Sequence, residues 1–96
     1  MKIITWNIRG LNSNHKLDIV RNFVREQKSD IFLLQETKME NERAEKIKSF
    51  KDYCLRESSS EGALGGTLIL WNFFLFYGLI LFERKHFMVV KMTILD

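Results

Sequence analysis

The feature that most constrains this chain lies in its first 36 residues, where hydrophobic spacing passes from strand-like alternation to helical repetition and back. Residues 2–8, KIITWNI, are rich in β-branched and aromatic side chains, with Ile3 and Thr5 on one face and Ile4, Trp6 and Ile8 on the other. Successive side chains of a strand point to opposite faces, so this segment reads as a strand covered on both sides. Gly10 and the polar run Asn12, Ser13 and Asn14 end it. From Lys16 onward Leu17, Val20 and Val24 recur at helical spacing with Ile19 and Phe23, opposite a wet face of Asp18, Arg21, Asn22, Arg25 and Glu26. That is an amphipathic helix, capped by Ser13 or Asn14. Residues 30–36, DIFLLQE, form a short apolar run between polar neighbours and read as a second, buried strand. A βαβ crossover makes its two strands parallel and is almost always right-handed, which brings their C-terminal ends to one sheet edge.

Beyond this unit the pattern is less regular. Thr37 and Glu40 have capping-box spacing, and the charged stretch to Phe50, with Ala44 and Ile47, reads as a short surface helix. Residues 57–62, ESSSEG, read as a polar loop. Residues 63–82, ALGGTLILWNFFLFYGLILF, contain no charge and are as long as a membrane-spanning helix requires, so a span is one reading of them. The competing reading uses Gly65, Gly66, Gly78 and Asn72 as breaks: a strand over 67–71, a turn near Asn72, and a strand over 75–82. After the charged turn at residues 83–86, residues 87–94 suit a further strand that completes a hairpin.

With 96 residues there is room for one small domain, and 46% hydrophobic content is enough to collapse it. Fifteen Lys and Arg against twelve Asp and Glu leave a formal charge of +3, which favours a polyanion without requiring one. The single Cys54 rules out an intrachain disulfide framework and a zinc cluster. The N-terminus meets Asn7 and Arg9 before any long apolar stretch, so the expected location is intracellular, nuclear or cytoplasmic, and not secretory.

The residues with chemistry to offer are Asn7, near the end of the first strand, and Glu36, at the end of the second. The βαβ geometry sets both at the same edge, where ligands of α/β sheets bind. An amide and a carboxylate oxygen suit Mg²⁺ or Mn²⁺, which retain several waters and take few protein ligands.

The string KIITWNIRGL, followed after one helix by DIFLLQETK, resembles the first two signature motifs of the endonuclease/exonuclease/phosphatase superfamily, and GGTLILWN is similar to its next strand. In wording the motifs resemble most the endonuclease domains of plant LINE-type (non-LTR) retrotransposons. The likeness is clearest over residues 1–72 of a domain taken as 1–96. It implies an α/β fold, part of a four-layer α/β/β/α sandwich: the βαβ unit, then a helix and further strands, of which this chain would supply one sheet and leave strand edges unpaired. It also implies that Asn7 and Glu36 are catalytic metal ligands, Glu36 the principal one, for a Mg²⁺ (or Mn²⁺) acting on the phosphodiester backbone of DNA. Gln35 and Thr37 would then support Glu36, with Lys38 and Arg9 near phosphate. Outside that resemblance Gln35 reads as a buried hydrogen-bonding residue, Thr37 as a helix cap, and Lys38 and Arg9 as surface charges.

The superfamily's later elements are a Tyr, an Asp-x-Asn whose Asp activates water, and a Ser-Asp-His whose His contacts phosphate. None of these motifs occurs in the sequence; Asp96 begins none, His86 sits in a charged turn, and His15 sits in a polar loop. The expectation is a phosphodiesterase domain that is catalytically incomplete. Two alternatives stand beside it: a non-catalytic module that associates through a sheet edge, and a small membrane protein spanning at 63–82.

Overall fold

The computed structural model describes residues 1–38, 50–58, 65–84 and 87–95. The chain opens with strand β1 (Ile3–Asn7), helix α1 (Asn14–Gln27) and strand β2 (Ile31–Gln35), and β1 and β2 pair in parallel with Asn7 opposite Gln35. Ser13 is the N-cap of α1: its hydroxyl accepts a hydrogen bond from the Lys16 amide at 3.0 Å, satisfying one of the donors a helix start leaves open. His15 therefore lies in the first helical turn, exposed, and not in the loop expected for it. The helix ends at Lys28, in a left-handed conformation, with its amide bonded to the Val24 carbonyl at 3.1 Å.

Strand β3 (Tyr53–Ser58) and strand β4 (Thr67–Asn72) complete a four-stranded sheet in the order β1-β2-β4-β3, with β4 antiparallel to both of its neighbours. β3 was not foreseen, and Glu57 and Ser58, read as loop, are its last two residues. Its alternation is masked by the half-buried Tyr53, Cys54 and Leu55 on successive positions, a consequence of lying at a sheet edge beneath partial cover. The surface helix expected after Thr37 falls largely outside the described residues.

Strands β5 (Phe76–Glu83) and β6 (Met88–Ile94) form a separate antiparallel hairpin. The turn near Asn72 is present: the Asn72 side-chain oxygen accepts from the Phe74 amide at 2.9 Å, and the Leu75 amide bonds to the Asn72 carbonyl at 3.2 Å. The strand reading of residues 67–82 thus holds locally, but β4 and β5 enter different sheets, so the chain supplies two sheets where one was expected. No helix among the described residues is long and apolar enough to cross a membrane.

The layers follow from side-chain alternation. On one face of the main sheet Phe32, Leu34, Leu68 and Leu70 pack against Leu17, Val20 and Val24 of α1, with Ile8, Leu11 and Phe50. On the other face Ile31, Ile69 and Trp71 meet Phe76, Met88, Val90 and Met92 of the hairpin. Helix, four-stranded sheet and two-stranded sheet form an α/β arrangement, in which β2 is buried on both faces as its unbroken apolar run requires. β1 is not: Ile4 and Trp6 pack inward, whereas Ile3 and Thr5 are exposed because the hairpin covers the middle of the sheet and β1 is its edge.

Candidate metal and phosphate site

The candidate edge is assembled by backbone hydrogen bonds that run past the strand ends. The amide of Ile8 bonds to the Gln35 carbonyl at 3.0 Å, that of Gly10 to Glu36 at 2.8 Å, and that of Leu11 to Thr37 at 2.8 Å. From the opposite side the amides of Thr37 and Lys38 bond to the carbonyls of Gly66 and Gly65 at 3.2 and 2.9 Å. The Asn12 side-chain amide adds a bond to the Lys38 carbonyl at 2.7 Å. Three loops, following β1, following β2 and preceding β4, are thereby joined into one platform.

This platform holds unusual backbone. Arg9, Glu36 and Lys38 adopt φ of 53°, 54° and 52°, beside Gly10, Gly65 and Gly66 at positive φ. A left-handed conformation costs a side-chain-bearing residue on the order of 1–2 kcal/mol, which the lateral hydrogen bonds must offset. Such outliers concentrate where a fold fixes functional groups. Here they turn the chain so that Glu36 is exposed while Thr37, the next residue, is fully buried.

Asn7 and Glu36 are both solvent-exposed at this edge, on neighbouring strand ends, as the parallel pairing expected from the sequence demands. The side-chain oxygen of Asn7 accepts from the Arg9 amide at 3.3 Å, which orients its carboxamide over the loop. Among the described residues no cluster of three or more His, Cys, Asp or Glu could form a complete cage for a metal. One carboxylate and one amide oxygen, both open to water, instead fit a hard divalent cation that keeps much of its hydration shell.

Two open clefts flank this edge. One, of about 440 Å³, is lined by Gln35, Glu36, Gly65, Gly66 and Thr67, with Leu33, Ile69, Phe87 and Met88 beneath and beside them. The other, of about 400 Å³, is lined by Arg9, Gly10, Asn12, Ser13, Lys16 and Lys38 over Ile8, and among the described residues its charged groups are all cationic. Gln35 is exposed in the first cleft, not the buried residue of the alternative reading. Thr37 Oγ1 is buried without a hydrogen-bond partner among the described residues, and in the chain Thr37 follows Glu36 of one cleft and precedes Lys38 of the other.

Lys16, which the sequence reading did not single out, lines the cationic cleft. Its i+3 position from the Ser13 cap, on the first turn of a helix that starts at the sheet edge, is the signal that would have pointed to it. Its ammonium also lies 5.6 Å from the Trp6 ring centroid, which steadies the side chain.

Residues 4–89 match the model of the Endonuclease/Exonuclease/phosphatase family. The chain belongs to the endonuclease/exonuclease/phosphatase family. It is also similar to the crystal structure of the AP endonuclease LMAP from Leishmania major, at 26% identity and a TM-score of 0.63. That likeness covers 74% of this chain and 23% of the Leishmania chain, so the chain spans less than a quarter of that relative's length. No curated protein matches it significantly. The α/β arrangement is that of the family, and the platform holding Asn7 and Glu36 falls within the matched residues.

Proposed function

We propose that the platform is the metal-ligand portion of a phosphodiesterase site, with Glu36 as principal ligand and Asn7 as its companion, and that it addresses the backbone of DNA. The observation that carries this reading is the juxtaposition of an exposed carboxylate, at a strand end tied by backbone hydrogen bonds to its neighbours, with a cleft whose charged lining among the described residues is Arg9, Lys16 and Lys38. Among the described residues the charged lining of that cleft is positive, which favours a polyanion, and cationic side chains with nearby backbone amides hold phosphates in register without reading sequence. Nucleases of this family generally use divalent metals, and Mg²⁺ or Mn²⁺ bound at Glu36 would supply Lewis-acid polarisation of a phosphoryl oxygen. Arg9 and Lys38 would orient the neighbouring phosphates, and Gln35 would present its carboxamide from the same cleft. The likeness of the motifs to LINE-type retrotransposon endonucleases supports DNA as substrate and a nuclear or cytoplasmic location.

The reading includes catalytic incompleteness. A general base contributes about 10²–10⁴-fold and acts with the phosphate-binding group as a unit, so a polypeptide of residues 1–96 alone, whose sequence carries neither motif, would turn over little. The test combines Mn²⁺ binding, followed by electron paramagnetic resonance, with nicking of supercoiled plasmid, each for the wild type and Glu36→Ala. Binding that weakens at least about tenfold in Glu36→Ala, with nicking at the level of an EDTA control, is the expected outcome. Equal Mn²⁺ binding by both proteins would remove Glu36 from the site. Metal-dependent nicking lost in Glu36→Ala would retain the site and refute incompleteness.

A further inference from the structure

Of the four backbone amides that follow β1, three reach across to the end of β2 and the loop after it. Ile8 bonds to the Gln35 carbonyl, Gly10 to that of Glu36 and Leu11 to that of Thr37. The Arg9 amide turns back instead and donates to Oδ1 of Asn7 at 3.3 Å. Arg9 lies at φ 53°, a conformation that side-chain-bearing residues disfavour, and Gly10 follows at φ 108°. The cross-bonds of Ile8 and Gly10, at 3.0 and 2.8 Å, hold Arg9 from both sides and keep the turn in place.

The direction of that one amide decides what Asn7 presents. A carboxamide carries an oxygen that accepts and a nitrogen that only donates, and half a turn of the group exchanges them. Only the oxygen serves a hard divalent cation. A donor fixed beside Oδ1 selects one of the two orientations, and of the two lone pairs on that oxygen it takes one and leaves the other for a cation.

We propose that Arg9 is a positioning residue for the metal site through its backbone: the left-handed conformation aims its amide at Asn7 and so fixes the carboxamide oxygen as a ligand. The guanidinium, which lines the cationic cleft, takes no part in this. Position 9 therefore depends on backbone freedom for metal binding and on charge only for phosphate. The inference rests on Asn7 and Glu36 as metal ligands.

Mn²⁺ binding followed by electron paramagnetic resonance tests it. Arg9→Gly and Arg9→Val both remove the guanidinium, but glycine adopts positive φ readily and a β-branched residue does not. Arg9→Gly is expected to bind Mn²⁺ at least as tightly as wild type, since it removes a nearby cation and keeps the turn. Arg9→Val should bind at least about tenfold more weakly than Arg9→Gly, the usual size of a lost contact to a metal ligand. In an Asn7→Ala background the two should differ by less than about twofold, because the contact is already gone, whereas a general loss of structure would separate them in both backgrounds. Should Arg9→Val misfold by far-UV circular dichroism, amide hydrogen exchange without metal decides: in Asn7→Ala the Arg9 amide should exchange at least about threefold faster and the Gly10 amide at its wild-type rate. Equal Mn²⁺ affinity in Arg9→Gly and Arg9→Val, an equal gap between them in both backgrounds, or an Arg9 amide indifferent to the Asn7 side chain would overturn this inference and leave the site itself to Glu36→Ala. Mn²⁺ binding unchanged by Glu36→Ala would overturn both.

Discussion

Gly78 lies on β5 where the hairpin crosses the main sheet, and the indole of Trp71 occupies the space a side chain would need. A Cβ added there would stand 2.6 Å from Trp71 Cε2 and 3.0 Å from Cη2, distances at which something must shift. Trp71 is itself buried, held among Ile31, Ile69 and Phe76, and is not the flexible end of a chain. Gly78→Ala therefore overpacks this layer, at about 1–3 kcal/mol. Against this, alanine restricts the unfolded chain and is favoured over glycine within a strand by about 0.5–1 kcal/mol. The net expectation is destabilisation by about 1–2 kcal/mol. With a urea m-value of about 1–1.5 kcal/mol/M for so small a domain, the midpoint falls by roughly 1 M. Because the clashing atoms belong to the six-membered ring of the indole, Trp71→Phe should open the space. Gly78→Ala made in the Trp71→Phe background should then cost less, giving a coupling energy of about 1 kcal/mol or more. A Gly78→Ala variant that is more stable than wild type, or equal penalties in both backgrounds, would refute the packing argument and leave only the entropic one.

Tyr53 donates its hydroxyl to the Ser29 carbonyl at 2.6 Å, and burial, then the nearby carboxylates of Asp30 and Asp52, raise its pKa above the ordinary 10.0. The native state holds the phenolic proton more tightly than the unfolded chain, so this contribution is complete below about pH 10 and is lost as pH rises through the higher native value. Tyr53→Phe should cost about 1 kcal/mol at neutral pH and flatten the decline above pH 10; equal alkaline slopes in wild type and variant, by urea titration, would remove Tyr53 as its cause. Ser13→Ala removes the cap of α1 and should lower stability by about 1 kcal/mol, with Ser13→Asp close to wild type in the same assay. Phe32→Ala empties a fully buried site between the rings of Phe23 and Tyr53 and should cost about 3–5 kcal/mol. For a domain of this size that is enough to abolish a cooperative thermal transition in calorimetry.

The legible part of the site was the part set by local periodicity. Alternation over β1, helical spacing over α1 and an unbroken apolar run over β2 define a βαβ unit, and its handedness and parallel pairing follow from chain sterics. Placing Asn7 and Glu36 at one edge needed nothing more. Lys16 was not singled out because its place in the cleft depends on where the first turn of α1 sits over the loops, which is a relation between elements and not a pattern within one. β3 was missed because an edge strand under partial cover shows no clean alternation. Ile3 and Thr5 were assigned a cover that the hairpin gives only to the middle of the sheet.

By itself, then, the sequence determined the first three elements, the turn at Asn72, the pairing partners within the final hairpin and the residue types at the candidate site, all through interactions between near neighbours along the chain. Only the tertiary structure decided that β4 inserts between β2 and β3 while β5 leaves for a second sheet. Residues 67–82 are apolar on both sides of the turn, and hydrophobicity is non-directional, so it does not specify which surface each strand will cover. The left-handed backbone at Arg9, Glu36 and Lys38 is likewise a tertiary result. None of these residue types favours that conformation alone; hydrogen bonds from loops distant in sequence hold it and, with it, the edge at which Glu36 is presented.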